Sequence, residues 1–383
     1  MLRVLTLATL FPNGMKPTLG VFVERQTLAL AAQAGVEVQV VAPVGLPAWP
    51  LSLHPHYAPR RSLPEQECWH GLDVHRPRYR VWPGLGAGGT ARRLADALLP
   101  ALRRIREAFP FDVIDAEFFW PDGPAAVQLG EALGVPVSIK ARGSDIHLWG
   151  HRADAAAQVL AAGCAADGLL AVSAALRADM IALGMPEEKI RVHYTGIDLE
   201  KFTPRDRAEA KAALGVDGPL LVTAGTLSPR KGQDLVVEAL KDIPGATLIL
   251  VGDGPDRARL EGLAKDLSVR ILGVRPHAEL PALLAAADVM VLPTVSEGLA
   301  NVWVEALACG TPVVTSDVGG AGEVIDRTDY GRLVPRDPDA IAAAVNAILA
   351  GPPAQERVRA GALRFSWERN GAELAAHLRG LVR

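Results

Sequence analysis

Short apolar runs rich in branched residues alternate with longer Ala/Leu-rich stretches along the whole chain. The short runs have strand length and the longer stretches have helical spacing, so the pattern predicts parallel sheets covered by helices, an α/β fold. In the first half, the predicted strands are 3–8, 36–42, 112–116, 135–140, 168–172 and 190–193, and the predicted helices are 21–34, 91–109, 123–133, 155–165 and 174–183.

The same alternation restarts in the second half of the chain. Its predicted strands are 220–224, 247–251, 270–272, 289–292 and 313–315, and its predicted helices are 233–240, 256–266, 279–286 and 302–308. Between the halves, the helical pattern stops and Gly and Pro appear over 195–204, which indicates a join between domains. We therefore expect a first domain at 1–197 and a second at 198–366, with a terminal helix over 367–383 that packs back onto the first. Two facing α/β domains would leave a cleft at the carboxyl ends of both sheets, where such sheets bind ligands.

Composition and charge exclude several classes of protein. The 383 residues are 49% hydrophobic and 22% charged, and the formal net charge of -3 argues against a general nucleic-acid binder. Cys68, Cys164 and Cys309 form neither a CxxC pair nor a zinc spacing, so a reducing cytoplasm is expected. The apolar run at the N-terminus resembles a first strand more than a signal peptide, and no stretch has the ~18 uninterrupted apolar residues of a membrane span.

The stretch with the strongest chemical signal is 296–312, SEGLANVWVEALACGTP. Glu297 lies in a loop after a predicted strand, Asn301 is predicted to be the N-cap of the next helix, and Glu305 then lies one turn inside that helix. The amides of 298–302 could meet an anion there, aided by the helix dipole, while the two carboxylates accept hydrogen bonds from hydroxyl groups. A sugar nucleotide offers both kinds of group. The alternative is that Glu305 only favours the helix start and Glu297 is a solvated loop residue.

A basic turn at 225–232, GTLSPRKG, precedes another predicted helix. Arg230 and Lys231 lie between a strand and the start of this helix, near Gln233. Two cations beside a helix N-terminus can neutralise a diphosphate without a metal ion. The alternative is an ordinary solvated basic turn.

Three places in the first half are further candidates. Gly20 enters the first helix in a loop that is not a GxGxxG fingerprint, which disfavours a Rossmann dinucleotide site but lets main-chain amides approach a phosphate. Arg142 and Asp145 follow a strand in KARGSDIH, where Arg142 could stabilise charge and Asp145 could bind hydroxyl groups. Glu117 and Asp122 follow another strand and are candidates for acceptor binding, with core or capping roles as the alternative.

EGLANVWVE resembles the E-x7-E element of retaining glycosyltransferase family 4, a group with the GT-B fold. The matching residues are Glu297, Gly298, Asn301, Glu305, Ala306, Gly310 and Pro312. Four further segments resemble family elements in the right order: 195–204 the interdomain segment, 225–232 the phosphate loop, 251–255 the GxGP turn and 365–367 the start of the crossing terminal helix. The resemblance spans nearly the whole chain, and five ordered elements make it specific.

The resemblance implies a GT-B fold with two facing Rossmann-like domains and a C-terminal helix that crosses back. The first domain would bind the acceptor and the second the nucleotide-sugar donor. The implied reaction is a retaining transfer from a nucleotide diphosphate sugar, most frequently a UDP-sugar in this family, to a glycan or lipid-linked acceptor hydroxyl in cell-surface polysaccharide synthesis. No cofactor and no metal ion are expected.

The resemblance also implies residue roles. Glu297, Lys231, Arg230 and Arg142 would be catalytic. The donor would be bound by Gly20, Gly225, Thr226, Gly252, Gly298, Leu299, Ala300, Asn301 and Glu305. Two positions depart from the family: Thr226 stands where an arginine is usual, and Arg142 stands where many members have a histidine. The RGSD form at 142–145 resembles a branch that includes teichuronic-acid-type glycosyltransferases.

A basic segment at 60–106 contains ten arginines and four acidic residues, a local net charge of +6. One interpretation is a helix that packs on the core through Leu94, Leu98, Leu102 and Ile105 and presents a solvated basic face. The other is a surface for an anionic acceptor or for peripheral contact with an anionic membrane.

Two rival functions share the same pocket chemistry: a GT-B nucleotide-sugar epimerase and a non-catalytic nucleotide-sugar-binding protein. A metal site at His54, His56, His70 and His75 has no supporting ligand spacing.

Overall fold

A computed structural model describes residues 1–84 and 87–382. Leu85 and Gly86 of the predicted basic segment, and Arg383 of the predicted terminal helix, lie outside the described residues. The chain forms two compact units, Met1–Gly196 with Trp367–Arg383, and Ile197–Ser366. The boundary expected after residue 197 falls one residue later than the one between these units.

The first unit contains ten strands among its described residues. They are β1 (Leu2–Leu7), β2 (Val36–Val41), β3 (Val44–Pro47), β4 (Gln66–Trp69), β5 (Leu72–His75), β6 (Arg78–Val81), β7 (Val113–Ala116), β8 (Val137–Ala141), β9 (Gly168–Ala171) and β10 (Ile190–Val192). Its α-helices are α1 (Val21–Ala31), α2 (Thr90–Ala108), α3 (Asp122–Leu133), α4 (Ser144–His147), α5 (Ala156–Ala165), α6 (Ala174–Ala182) and the terminal helix, which is α15 in chain order (Trp367–Leu381).

The main sheet of this unit has the order β10-β9-β8-β7-β1-β2-β5-β4 within the described residues. Its strands are parallel except for β4, which pairs antiparallel with β5. Because β1, β7 and β8 are neighbours, the loops that follow their carboxyl ends lie side by side. β3 and β6 form a separate two-stranded parallel sheet.

The terminal helix α15 belongs to the core of the first unit. Leu374 and Leu378 are buried in one cluster with Leu2, Val4 and Leu30, which lie on β1 and α1. The side chain of His377 on α15 lies against Gly168 of β9. The predicted stripe on α2 is confirmed as a core face, since Leu94, Leu98, Leu102 and Ile105 are all buried.

The second unit is a smaller α/β layer structure. Its strands are β11 (Leu220–Ala224), β12 (Thr247–Val251), β13 (Val269–Gly273), β14 (Val289–Leu292), β15 (Val313–Thr315) and β16 (Gly331–Leu333). Its α-helices are α7 (Arg207–Ala213), α8 (Gln233–Ala239), α9 (Arg257–Leu263), α10 (Leu280–Ala286), α11 (Asn301–Ala308), α12 (Ala321–Val324), α13 (Pro338–Ala350) and α14 (Gln355–Ala360).

The sheet of the second unit is parallel, in the order β13-β12-β11-β14-β15-β16. Leu221, Leu248, Val289 and Val314 on four of its strands are buried in one cluster with residues of α8 and α13. From β11 the sheet continues to β12 and β13 on one side and to β14, β15 and β16 on the other. The carboxyl ends of β11 and β14 therefore lie side by side at the point where the strand order reverses, which is where an open α/β sheet has its binding crevice.

Among the described residues, no helix has the length and apolar character of a membrane-spanning segment.

Candidate active site

The loops after β11 and β14 are joined by an ion pair. Lys231 Nζ donates to Glu297 Oε1, and the two side chains are only 17% and 13% exposed. The hydroxyl of Thr294 lies 3.2 Å from the same Oε1 and 3.2 Å from the carbonyl oxygen of Arg230. The amide of Val295 donates to that carbonyl as well, at 2.9 Å. These contacts bring Lys231 and Glu297 together and hold both loops in one arrangement.

Arg230 presents its charge to solvent beside this pair. Its side chain is exposed and makes no hydrogen bond or ion pair with any described residue. The turn itself is supported by Arg336, whose guanidinium donates to the carbonyl oxygens of Pro293 at 2.7 Å and Pro229 at 3.2 Å. Arg230 is therefore available for an anion beside the Lys231–Glu297 pair, while Arg336 fixes the main chain. Sequence reasoning missed Arg336, which lies about a hundred residues further along the chain.

Gly225, Thr226 and Gly252 lie where β11 and β12 end. The amide of Gly225 donates to the carbonyl oxygen of Val251 at 2.9 Å, and the main chains of Gly225 and Gly252 are in close approach. Thr226 is exposed, and its carbonyl oxygen accepts a bond from Gln233 Nε2 at 3.0 Å. The predicted donor contacts of these three residues stay predictions.

The loop 298–300 leads directly into α11. The prediction that Asn301 caps this helix is wrong, because Asn301 is its first residue, while Ala300 is the extended N-cap with ψ 114° and no side-chain hydrogen bond. Within the described chain, the amides of Gly298, Leu299 and Ala300 donate no hydrogen bond. With no capping side chain, these amides and the helix dipole can meet an anion.

Glu305 lies one turn inside α11 and is 8% exposed. Its Oε1 lies 2.9 Å from Nε2 of His277, and Nδ1 of that imidazole lies 3.2 Å from Nζ of Lys201. Since an ammonium can only donate, His277 accepts at Nδ1 and donates from Nε2 to the carboxylate. His277 and Lys201 thus orient Glu305, which leaves its second oxygen for a ligand. Neither residue was singled out from the sequence.

In the first unit, Gly20 is the N-cap of α1. It has φ 65°, and a Cβ there would lie 2.2 Å from the carbonyl oxygen of Leu10, so only glycine fits without displacing the β1–α1 loop. Because Gly20 has no side chain, a phosphate can approach the main-chain amides at the start of α1.

Arg142 lies at the end of β8 and is paired with Glu117 of the β7 loop. Its guanidinium donates to the Glu117 carboxylate and, at 2.9 Å, to the Glu117 carbonyl oxygen, and it lies over the ring of Phe22. The side chains of Arg142 and Glu117 are 6% and 1% exposed. Arg142 therefore already has a carboxylate partner within the first unit, and its catalytic role stays a prediction.

Asp145 and Asp122, predicted to contact the acceptor, are fully buried. The carboxylate of Asp145 accepts bonds from the amides of Phe119, Arg142, Gly143 and Ile146, so it holds the turn that joins β8 to α4. Asp122 accepts from the amide of Thr9 at 2.8 Å, and burial raises its pKa to about 7. These contacts and the pairing of Glu117 agree with the alternative of core or capping roles, and acceptor binding by the three carboxylates stays a prediction.

A buried polar network under these loops was not predicted. Lys140 is fully buried in β8, and its Nζ donates to Gln26 Oε1 at 2.5 Å and to Nδ1 of His193 at 2.8 Å. Burial, and next the neighbouring cation, lower the pKa of both Lys140 and His193 well below their ordinary values. Burial and then Glu117 raise the pKa of Asp115 well above its usual range. Burial therefore disfavours the charged forms of Lys140, His193 and Asp115. The one available signal was a lysine inside an apolar strand.

Among the described residues, no three His, Cys, Asp or Glu side chains are grouped as a metal site would require.

Comparison with known proteins places the chain. The profile described as Glycosyl transferases group 1 matches residues 204–364, and the profile described as Glycosyltransferase Family 4 matches residues 19–201. A Bacillus subtilis (strain 168) protein named as a teichuronic acid biosynthesis glycosyltransferase, TuaC, is 32% identical over 356 residues, which cover 90% of this chain and 88% of that protein. The chain belongs to glycosyltransferase family 4. It is therefore a transferase enzyme, and the family predicted from the motifs is confirmed.

Other relatives and solved structures agree with the family. The D-inositol 3-phosphate glycosyltransferase of Mycobacterium bovis (strain BCG / Pasteur 1173P2) is 35% identical over 217 residues, 52% of this chain and 45% of that protein. Among solved structures, Anabaena HepE in complex with UDP has a TM-score of 0.76 at 21% identity, with full coverage of both chains. Sucrose-phosphate synthase from Thermosynechococcus elongatus has a TM-score of 0.78 at 23% identity, covering 100% of this chain and 99% of that one. These likenesses confirm the predicted GT-B fold of this family 4 glycosyltransferase.

Proposed function

We propose that this family 4 enzyme transfers a sugar, with retention of anomeric configuration, from a nucleotide diphosphate sugar to an acceptor hydroxyl. The observation that carries the proposal is the Lys231–Glu297 pair, fixed between two loops beside unbonded amides and the exposed Arg230. Cations and main-chain amides at one point suit a diphosphate, and a carboxylate held among them suits the hydroxyls of the attached sugar.

Each group then has a role in the second unit. Lys231 and Arg230 neutralise the charge that develops on the departing diphosphate, and the amides of 298–300 bind its oxygens. Glu297 accepts hydrogen bonds from hydroxyls of the transferred sugar. Glu305, oriented by His277, accepts bonds from the ribose hydroxyls. The first unit binds the acceptor, where Gly20 lets main-chain amides approach a phosphate and the Arg142–Glu117 pair supports the neighbouring loops.

The proposed reaction needs no strongly basic side chain. The bond between the anomeric carbon and the diphosphate oxygen breaks, and the acceptor oxygen bonds to that carbon on the same face. The departing oxygen takes the acceptor proton. Catalysis rests on positioning and on stabilisation of the leaving charge, and we propose that Lys231 and Arg230 supply this without a metal ion.

UDP is the proposed nucleotide, and a glycan or lipid-linked acceptor of cell-surface polysaccharide synthesis is the proposed partner. HepE was solved with UDP, and TuaC is named for teichuronic acid biosynthesis. A thermal-shift screen with UDP, GDP and ADP tests the base, because a ligand of the folded state raises its apparent stability.

We also propose peripheral contact with an anionic membrane through 60–106. Arg92, Arg103 and Arg104 are exposed on α2 while its opposite face is buried. Flotation with vesicles at low salt tests this contact, and equal flotation with neutral and anionic vesicles would contradict it.

The activity is tested by incubating the purified protein with a panel of nucleotide sugars, with and without a chelator. Release of nucleoside diphosphate with transfer or hydrolysis of the sugar supports the proposal, and NMR of the product gives its anomeric configuration. Epimerised donor would instead support the epimerase, and binding without turnover the non-catalytic protein. Loss of activity with the chelator would contradict metal independence.

A further inference from the structure

The small sheet β3–β6 borders a cavity of about 420 Å³ in the first unit. Arg61, Arg78 and Arg80 line it, together with Trp49, Ser52 and Tyr79. Within the described residues, no acidic side chain lines this cavity. A cavity with three guanidinium groups and no carboxylate favours an anionic ligand.

These three arginines form no ion pair with any residue that the structure describes, although Glu65 acts electrostatically on Arg78. Arg61 and Arg80 are exposed, and their guanidinium groups form no ion pair or hydrogen bond with any residue that the structure describes. In the described part of the chain, Arg78 bonds only to main-chain carbonyl oxygens, those of Arg76 at 3.1 Å and of Leu63. Other arginines of this unit are paired: Arg76 with Glu67, and Arg142 with Glu117. Unpaired guanidinium forks match phosphate oxygens in geometry as well as in charge.

A second cavity, of about 200 Å³, adjoins the first across Tyr79, which lines both. Thr9, Asn13 and Lys16 of the β1–α1 loop line its other side. Burial, and next Asp122, raise the pKa of Tyr79 to about 12, so its phenol keeps its proton and can donate to a ligand. Tyr79 thus lies beside both cavities, and the smaller one borders the loop that carries Gly20.

We propose that the arginine cavity binds a phosphate or diphosphate ester group of the acceptor, whose hydroxyl-bearing sugar lies in the smaller cavity beside the β1–α1 loop. This inference rests on the proposed function, since it assigns the acceptor class for the same transfer. The ester can come from a lipid-linked acceptor or from a free sugar phosphate. Trp49, 78% exposed at the cavity wall, and Leu53, 52% exposed nearby in the chain, offer apolar surface that only the lipid form would use.

The test is calorimetric titration of the full-length protein with farnesyl diphosphate, inorganic diphosphate and farnesol. Arg61→Ala/Arg80→Ala is compared with Arg103→Ala/Arg104→Ala, which removes the same charge from exposed positions of α2 outside both cavities. Lys231→Met reports binding at the donor site. UDP is titrated separately into every variant.

Arg61→Ala/Arg80→Ala, the cavity variant, should bind farnesyl diphosphate about a hundredfold more weakly than wild type, because two charge-assisted contacts are lost. The α2 variant and Lys231→Met should bind it nearly as wild type does. Tighter binding of farnesyl diphosphate than of inorganic diphosphate, reduced by Trp49→Ala, indicates a lipid source, and equal binding of the two indicates a free phosphate ester. Both results support the subsite.

Equal weakening in the cavity and α2 variants, or binding that only Lys231→Met removes, would overturn the subsite. Absence of UDP binding in the wild type would instead count against the proposed function. If Arg61→Ala/Arg80→Ala still binds UDP, its donor site is intact, so a failure of the subsite is distinguished from a failure of the proposed function.

Discussion

The Lys231–Glu297 pair allows its structural and chemical contributions to be separated. Lys231→Met removes the cation but keeps the length of the side chain. Among the described residues, the hydroxyl of Thr294 is then the one remaining hydrogen-bond partner of a carboxylate that is 13% exposed. Breaking a fully buried pair costs about 3–5 kcal/mol, and the residual exposure of both groups reduces this to about 2 kcal/mol. For a unit of this size, the melting temperature should fall by roughly 4–8 °C.

The second change, Glu297→Gln, removes the unpaired charge. Lys231→Met/Glu297→Gln should therefore recover most of the lost stability, because no charge is left buried without a partner. Activity should not recover. Loss of the cation alone should lower turnover of the nucleotide sugar by about 100-fold or more, and the double variant should be at least as slow, since both contacts to the donor are gone.

The assay combines thermal unfolding of the single and double variants with their rates of nucleotide release. Recovery of both stability and activity in the double variant would refute the reasoning, because the pair would then act only through the fold. Unchanged stability in Lys231→Met would refute the buried pair itself.

Three further predictions concern the supporting structure. Gly319→Ala should greatly lower kcat/KM. Gly319 has φ 51°, and a Cβ there would lie 1.8 Å from the carbonyl oxygen of Glu297, so the substitution would displace the loop that carries Glu297. Gly351→Ala is the control and should have wild-type rates, because apart from its chain neighbours no described residue has a heavy atom within 4 Å of the added Cβ. Asp122→Asn should lessen the loss of stability with rising pH. The pKa of Asp122 in the folded protein is about 7, above the ordinary 3.8, so the wild type loses up to a few kcal/mol of unfolding free energy between about pH 4 and 7. Urea unfolding at pH 5 and 8 measures this loss. A wild-type slope in this variant would contradict the raised pKa. His377→Gln should lessen acid destabilisation. Burial lowers the pKa of His377 in the folded protein from 6.5 to about 4, so the wild type loses stability as the pH drops between these values. Equal loss of stability with acid in the wild type and the variant, followed by circular dichroism, would contradict this.

The sequence predicted the buried strands well and the short, partly exposed strands poorly. β11, β12, β14 and β15 have the predicted bounds because strands of a covered parallel sheet are continuous apolar runs. β3 to β6 are four residues each and partly exposed, so no apolar run marks them. Helix α13 was also missed, although Asp337 caps it by accepting from the amide of Ala340 at 2.9 Å.

For the site, motifs identified the residues but not their partners. Lys231 and Glu297 could be named from local patterns, while their contact depends on the adjacency of β11 and β14. The pairing of Arg142 with Glu117 depends in the same way on β7 and β8. His277 lies in a different segment from Glu305, and no local spacing connects them. Asn301 was misassigned because a good capping residue need not occupy the capping position, which Ala300 holds.

The central claim is that Lys231 and Glu305 bind the diphosphate and the ribose of one nucleotide. Calorimetric titration with UDP and UMP tests it most directly. Wild type should bind UDP about tenfold or more tightly than UMP, Lys231→Met should abolish that preference, and Glu305→Gln should weaken both nucleotides equally. An unchanged preference in Lys231→Met, or wild-type affinity in Glu305→Gln, would contradict the account.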